Sequence, residues 1–288
     1  MKASFIGLGV MGFPMAGHLA AAGCDVVVHN RTTEKASQWA SKHGGRAVDR
    51  AADAAAHGDV VFMCLGDDPD VEAMADEIIP AMRAGAVLVD HTTASPALAR
   101  ALAARCDETG LGFVDAPVSG GQAGAENGKL AVMCGGEAAH VERMRVAADA
   151  YAARIVHVGP AGAGQLCKAV NQFCIAGVLA GLSEGVSFAE AAELDVEKVL
   201  KAISGGAAQS WQMDNRAKTM AEGAFDFGFA VDWMRKDLRI ALGEARALGA
   251  TLPVTALVDQ FYADVQNMGG GRQDTSSLVR RLPRRGNV

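Results

Sequence analysis

The chain has 288 residues, half of them hydrophobic, with 34 glycines and a formal net charge of −6. That is material for two ordinary domains with buried cores, and it excludes disordered and fibrous classes. The acidic balance and the absence of a long basic run exclude the electrostatic footprint of a nucleic-acid binder, and the 6 cysteines lack CxxC or other metal-ligand spacing, so no metal is expected.

The first residues run straight into a strand and a Gly-rich turn, which is not the pattern of a signal peptide, and reduced core cysteines fit a cytoplasmic protein. Up to about residue 160, short β-rich runs alternate with Ala-rich helical ones, the pattern of a parallel sheet covered by helices. Strands are predicted at Ala3–Ile6, Asp25–His29, Val60–Cys64, Val87–Asp90, Gly112–Asp115, Leu130–Cys134 and Ile155–Val158. Helices are predicted at Met15–Ala22, Thr33–His43, Val71–Met82 and Pro96–Thr109.

After Gly159-Pro160 β-branched runs become scarce and helical ones dominate: Gly164–Glu193, Asp195–Ile203, Arg216–Glu222, Val231–Leu248 and Pro253–Asn267. The apolar stretch from Ala169 to Ala192 is interrupted by Asn171, Gln172, Ser183, Glu184 and Glu190, so it does not read as a membrane span. The fold expected is α/β: a doubly wound Rossmann-type sheet domain over residues 1–162, a long interdomain helix over 163–193 and an all-α domain over 194–288. GGGRQDTSS from Gly269 is expected to be a mobile loop, and RRLPRR at Arg280 to Arg285 a solvated tail or a contact to an acidic neighbour.

The turn after the first strand reads FIGLGVMG, with Gly7, Gly9 and Gly12 in a GxGxxG array at the mouth of a helix. Gly7 suits the tight turn, Gly9 lets backbone approach a pyrophosphate, and Gly12 allows close helix-to-strand contact. Gly7, Leu8, Gly9, Val10, Met11 and Gly12 are therefore expected to cradle a dinucleotide, with the helix N-terminus offering N–H groups to the phosphates. At the end of the second strand, where a carboxylate would accept from an adenosine ribose 2′-OH, the chain carries Asn30, Arg31 and Thr32. One cation and several donors favour the 2′-phosphate of NADP over NAD. An arginine that only stacks on adenine, or a plain surface charge, is the alternative at this point.

Five segments then resemble one family. IGLGVMGFPMAGHLAAAG, VDHTTASP (Val89 to Pro96), FVDAPVSGGQAGAENGKL (Phe113 to Leu130), GAGQLCKAVNQ (Gly162 to Gln172) and WMRKDL (Trp233 to Leu238) are similar to the signatures of the β-hydroxyacid dehydrogenase family, over essentially the whole chain. The resemblance implies reversible hydride transfer between a nicotinamide and the hydroxyl-bearing carbon of a short 3-hydroxy acid or its semialdehyde. It further implies dimers or tetramers built through the α-domains.

By the same resemblance Lys168 is the general acid and base, Asn171 orients substrate oxygens, and Ser119, Gly120 and Gly121 cradle the substrate carboxylate. Thr93 and Lys236 contact the cofactor near its nicotinamide end, and Cys64 and Leu65 form a loop along the dinucleotide. From spacing alone, Lys168 and Asn171 share one helix face, which also suits a solvated pair; Ser119-Gly120-Gly121 also suits a tight sheet turn, and Ala116-Pro117 is compatible with a cis bond. A lysine used as a base has to be shifted toward neutrality from about 10.4.

His91 stands where small serine-like residues are common in the family, and beside Asp90 a structural hydrogen-bonding role is the simpler reading. Trp211 and Phe229 are candidates for the pocket wall or for core packing. Three other functions fit the same fold, and one of them, oxidative decarboxylation, would need a longer C-terminal part and phosphate-binding basic residues that are not found in the sequence. Imine reduction is disfavoured by Lys168, which that group generally replaces, and a nicotinamide-sensing protein without turnover would lack the lysine or the glycine array.

Overall fold

The computed structural model of the chain describes Met1 to Pro283, and these residues divide into two compact units, Met1–Lys168 and the residues from Ala169 onward. Arg284 and Arg285 of the basic tail lie outside the described residues. The division falls inside one long helix rather than at its start.

The first unit alternates strands and helices: β1 (Lys2–Ile6), α1 (Gly12–Ala21), β2 (Asp25–His29), α2 (Thr33–His43), β3 (Arg46–Ala47), α3 (Ala51–Ala55), β4 (Val60–Met63) and α4 (Asp68–Ile78). It continues with β5 (Val87–Asp90), α5 (Pro96–Glu108), β6 (Gly112–Asp115), β7 (Val118–Ser119), α6 (Gly121–Glu126), β8 (Leu130–Gly136), α7 (Ala138–Ala148) and β9 (Ala152–Gly159). The sheet order is β3-β2-β1-β4-β5-β6-β8-β7, with β9 beside β8. From β3 to β6 all pairings are parallel, and β8 runs antiparallel to β6 and β7.

Strands β4, β5 and β6 are buried along their whole length, β1 beyond its first residue and β2 over residues 26–28, because helices cover both faces, whereas the short edge strand β3 is not buried. Successive residues alternate between the two cores: Phe5, Val28, Phe62 and Val89 face one, and Ile6, Val27, Met63 and Leu88 face the other. No described peptide bond is cis, so the Ala116-Pro117 expectation is not met.

The register decides where chemistry can gather. The chain leaves β1 toward β2 and β3, then returns to β4 on the other side, so the order reverses between β1 and β4. His29, Ile6, Met63, Asp90 and Asp115 form one continuous row of paired positions across five strands. The segments that follow, Asn30–Thr32, the Gly7 turn, Cys64–Leu65 and His91–Thr93, therefore leave the same carboxyl edge, where open α/β sheets bind ligands at the reversal point.

Helix α8 (Ala163–Ala191) starts in the first unit and runs into the second. Among the described residues it is the one helix long and apolar enough to cross a bilayer. The second unit adds α9 (Val196–Ile203), α10 (Trp211–Glu222), α11 (Val231–Leu248) and α12 (Pro253–Asn267), followed by a 3-10 turn at Thr275–Arg281. Helix α10 begins earlier than the hydrophobic pattern indicates because the Ser210 hydroxyl caps it, accepting from the Met213 amide at 3.1 Å. Ala176, Leu179, Val231, Met234, Leu238, Val258, Tyr262 and Val265 form the principal core of the second unit.

The segment from Gly269 is not a mobile loop. Asp274 is buried, and its carboxylate accepts from Arg216 Nε at 3.2 Å, the Phe229 amide at 2.9 Å, and the Ser276 amide and hydroxyl at 3.0 and 2.6 Å. Polar composition suggests solvent, but Arg216 and Phe229 come from far along the chain and, with the neighbouring Ser276, satisfy the carboxylate inside the fold. Nor are the first arginines of the basic run a solvated tail. Arg280 donates to Gln273 at 2.6 Å, and Arg281 donates to Asp264 at 2.7 Å and lies 3.8 Å from the Phe261 ring centre.

Candidate active site

The Gly7 turn is shaped by contacts that only hydrogen allows. Gly7 has φ +94, and a Cβ there would lie 2.3 Å from the Cys64 carbonyl oxygen; a Cβ on Gly12 would lie 2.0 Å from the Gly7 carbonyl oxygen. Gly9 differs, since a Cβ on it would meet nothing within 4 Å. Space beside Gly9 together with close packing at Gly7 and Gly12 is the shape a pyrophosphate needs, and these residues fit a dinucleotide. Helix α1 also starts without a side-chain cap, as Met11 precedes it, so its first-turn amides are not taken by a capping side chain. Leu8 is buried and Val10 is 65% exposed, so the two side chains of the turn point to opposite environments.

At the end of β2, Asn30 accepts from the Leu8 amide at 2.8 Å through Oδ1 and donates to the Thr32 carbonyl at 3.0 Å through Nδ2. Its side chain thus ties the glycine turn to the following loop. Arg31 and Thr32 are exposed, and Thr32 occupies the N-cap of α2 without a side-chain capping bond. The first turn of α2 and the Arg31 guanidinium lie next to each other in sequence at a solvent-facing corner; Glu34 stands in the same turn.

Three expected site elements, Leu65, Thr93 and the start of Lys168's helix, are joined by side chains that sequence reading had not singled out. Thr92 Oγ1 accepts from the Leu65 amide at 2.9 Å, and the Thr92 amide donates to Asp90 Oδ1 at 2.9 Å. Gln165, 2% exposed, donates through Nε2 to the Thr92 carbonyl at 2.7 Å and accepts at Oε1 from the Ala94 amide at 3.1 Å. Asp115 then accepts from the amides of Gly162 at 2.8 Å and Gln165 at 2.9 Å, capping α8 from another strand. Burial pushes the Asp115 carboxyl above the usual carboxylate range, while these amide donors pull it the other way. Lys168, also buried, follows Gln165 by one helical turn. That spacing within GAGQLCK was the one signal in the sequence for Gln165.

Ser119 ends β7, and Gly120 and Gly121 follow with φ of +131 and +60, so the backbone turns there through conformations that favour glycine. His91 is held in the interior: Nδ1 lies 2.6 Å from the Ala116 carbonyl and Nε2 lies 2.8 Å from the Tyr151 hydroxyl. It is a structural residue, stacked at 5.6 Å on Phe62.

In the second unit a polar chain lies within an otherwise apolar interior. Asn171 donates to Gln172 Oε1 at 2.8 Å, Gln172 donates to Asp237 Oδ2 at 2.6 Å, and Lys236 pairs with Asp237 at 3.2 Å. Two expected site residues, Asn171 and Lys236, are thereby connected through Gln172 and Asp237. Phe229 packs against the core around Tyr262, whereas Trp211 is 56% exposed with the Arg216 guanidinium 4.9 Å from its ring centre.

Residues 2–159 match the family model described as the NAD binding domain of 6-phosphogluconate dehydrogenase, and residues 162–282 match the NAD-binding domain of NADP-dependent 3-hydroxyisobutyrate dehydrogenase. An oxidoreductase of Shewanella frigidimarina is 58% identical over 284 residues, 98% of each chain. The 2-hydroxy-3-oxopropionate reductase of Escherichia coli strain K12 is 35% identical over 285 residues, covering 98% of this chain and 97% of its own. Among solved structures, 3-hydroxyisobutyrate dehydrogenase of Mycobacterium tuberculosis, determined with L-serine, superposes with a TM-score of 0.89 at 30% identity, covering 97% of this chain and 98% of its own.

Proposed function

We propose that this chain, which belongs to the β-hydroxyacid dehydrogenase family of NAD(P)-dependent oxidoreductases acting on CH–OH groups, interconverts a small 3-hydroxy acid and its semialdehyde with NADP preferred and Lys168 as general acid and base. The observation that carries the reading is the hydrogen-bonded assembly at the carboxyl edge of the sheet, where Thr92, Gln165 and Asp115 tie the Leu65 loop and Thr93 to the start of the helix bearing Lys168. A nicotinamide held by these residues would supply the hydride in reduction and accept it in oxidation. Lys168 takes the hydroxyl proton during oxidation and returns it to the carbonyl oxygen during reduction, so its amine and ammonium forms serve opposite directions.

Asn171, three residues beyond Lys168 on the same helix, is assigned to orient the substrate oxygen, and Gln172 holds its amide. Ser119, Gly120 and Gly121 are assigned to the substrate carboxylate, supported by the exposed glycine backbone. A small carboxylate-bearing substrate, anionic in the case of a 3-hydroxy acid, is supported by two relatives, one named for 2-hydroxy-3-oxopropionate and one determined with L-serine. Lys236 is assigned to the cofactor, and Arg31 with the uncapped turn after Thr32 to the 2′-phosphate of NADP.

A homodimer or homotetramer formed through the second unit is supported by apolar side chains left in solvent there, among them Phe188 at 72% and Val254 at 58% exposure. Location in the cytoplasm is supported by the free cysteines, which fit a reducing compartment. The decisive test is a screen of glyoxylate, of the semialdehydes of succinate, methylmalonate and tartronate, and of serine and 3-hydroxypropionate with both cofactors, repeated with Lys168→Ala. We expect turnover with NADP(H) on one or more of these, and a loss of about 10²- to 10⁴-fold in the variant with cofactor binding retained. Undiminished turnover in Lys168→Ala would remove the lysine from the chemistry.

A further inference from the structure

We propose that Gln165 is a positioning residue that locks the backbone on both sides of Thr93 and holds it in register with Lys168. The inference rests on the reading above for Thr93 and Lys168 and adds the part that fixes them. The Gln165 carboxamide is 2% exposed and spends both ends on one short segment: Nε2 donates to the Thr92 carbonyl at 2.7 Å, and Oε1 accepts from the Ala94 amide at 3.1 Å. These two bonds flank Thr93, so its peptide units cannot rotate without breaking one of them. Thr93 is half-buried, whereas Thr92 and Ala94 are buried.

The clamp is itself anchored. The Gln165 amide donates to Asp115 Oδ2 at 2.9 Å and the Gly162 amide donates to Asp115 Oδ1 at 2.8 Å, fixing the first turn of α8 against the end of β6. Lys168 follows one turn later on the same side of the helix. Thr92 extends the connection to the loop after β4 by accepting from the Leu65 amide at 2.9 Å. Only a primary carboxamide of this length offers a donor and an acceptor at one planar end; glutamate loses the donor, leucine both.

The test compares NADPH with adenosine 2′,5′-bisphosphate, which has the adenosine end of the cofactor and no nicotinamide. Dissociation constants are measured by fluorescence and calorimetry for wild type, Gln165→Leu and the isosteric Gln165→Glu, which serves if the leucine variant does not fold. We expect NADPH affinity to fall roughly tenfold in either variant, the scale of an unmet buried hydrogen bond, while the bisphosphate binds within about twofold of wild type because the hydrogen bonds of Gln165 go to Thr92, Ala94 and Asp115 rather than to the Gly7 turn or Arg31. Relative to wild type at each pH, Gln165→Glu regains NADPH affinity as acid restores its donor. Equal weakening of both ligands, unchanged NADPH affinity, or no pH-dependent recovery in Gln165→Glu overturns the positioning role. Failure of wild type to bind NADPH overturns the reading of the site itself, and the proposal with it.

Discussion

The Tyr151 hydroxyl donates to Nε2 of His91 at 2.8 Å, with both side chains fully enclosed. The direction follows from the other nitrogen: the Ala116 carbonyl, 2.6 Å from Nδ1, can only accept, so Nδ1 carries the proton and Nε2 is the acceptor.

This arrangement makes stability depend on acid. Burial lowers the His91 pKa from 6.5 to about 4, so the unfolded chain binds a proton that the folded one refuses. The contribution of neutral His91 is complete above 6.5 and is lost as pH falls toward 4, by at most about 3 kcal/mol. Urea unfolding at pH 7 and pH 5 should show a smaller difference in His91→Gln than in wild type. Tyr151→Phe, which leaves the buried acceptor unmet, should cost about 1–3 kcal/mol at pH 7.

The two glycines at Gly9 and Gly12 should respond in opposite ways to a methyl group. A Cβ on Gly9 meets nothing within 4 Å, whereas on Gly12 it meets the Gly7 carbonyl oxygen at 2.0 Å. Gly9→Ala should therefore keep its thermal midpoint and lose cofactor affinity, because the methyl enters the space assigned to the pyrophosphate. Gly12→Ala should be destabilised by about 1–3 kcal/mol before any ligand is added. Equal thermal shifts in the two variants would contradict this division.

Arg31→Ala should separate the two cofactors. Loss of charge-assisted bonds to a 2′-phosphate, worth about 1.5–3 kcal/mol, should raise the dissociation constant for NADP by roughly tenfold or more and leave that for NAD little changed. Titration calorimetry with both cofactors measures it. Equal losses would mean that Arg31 only stacks on adenine, with no part in recognising the phosphate.

Asp274 should be among the most sensitive positions of the second unit. Its side chain is 2% exposed and pairs with Arg216 at 3.2 Å while accepting from Phe229 and Ser276. Asp274→Ala removes the charge partner of Arg216 and the acceptor of two backbone amides and the Ser276 hydroxyl, and should cost about 3–5 kcal/mol in chemical unfolding. A change below about 0.5 kcal/mol, typical of surface substitutions, would mean that the segment is held by other contacts.

By itself the sequence determined what local rules control. The positions of the longer strands, the glycine array after β1 and the helical grammar beyond Gly159 are set by side-chain period, turn chemistry and the space a Cβ needs, all readable within a few residues. The expected α/β and all-α halves and the grouping of Gly7, Cys64 and Thr93 at one edge follow from those elements, since parallel pairing brings strand ends into one row.

Only the tertiary structure decided which side chains hold that edge together. Gln165 reaches Thr92 and Ala94 across 73 and 71 positions of chain, Asp115 reaches Gly162 and Gln165 across 47 and 50, and Asp274 reaches Arg216 and Phe229 across 58 and 45. In the sequence these residues look like ordinary polar positions, and Asp274 sits in a stretch whose composition suggests solvent. What makes each of them structural is a partner that folding brings within 3.2 Å. A buried donor or acceptor must find such a partner, and neither period nor propensity says from how far along the chain it will come.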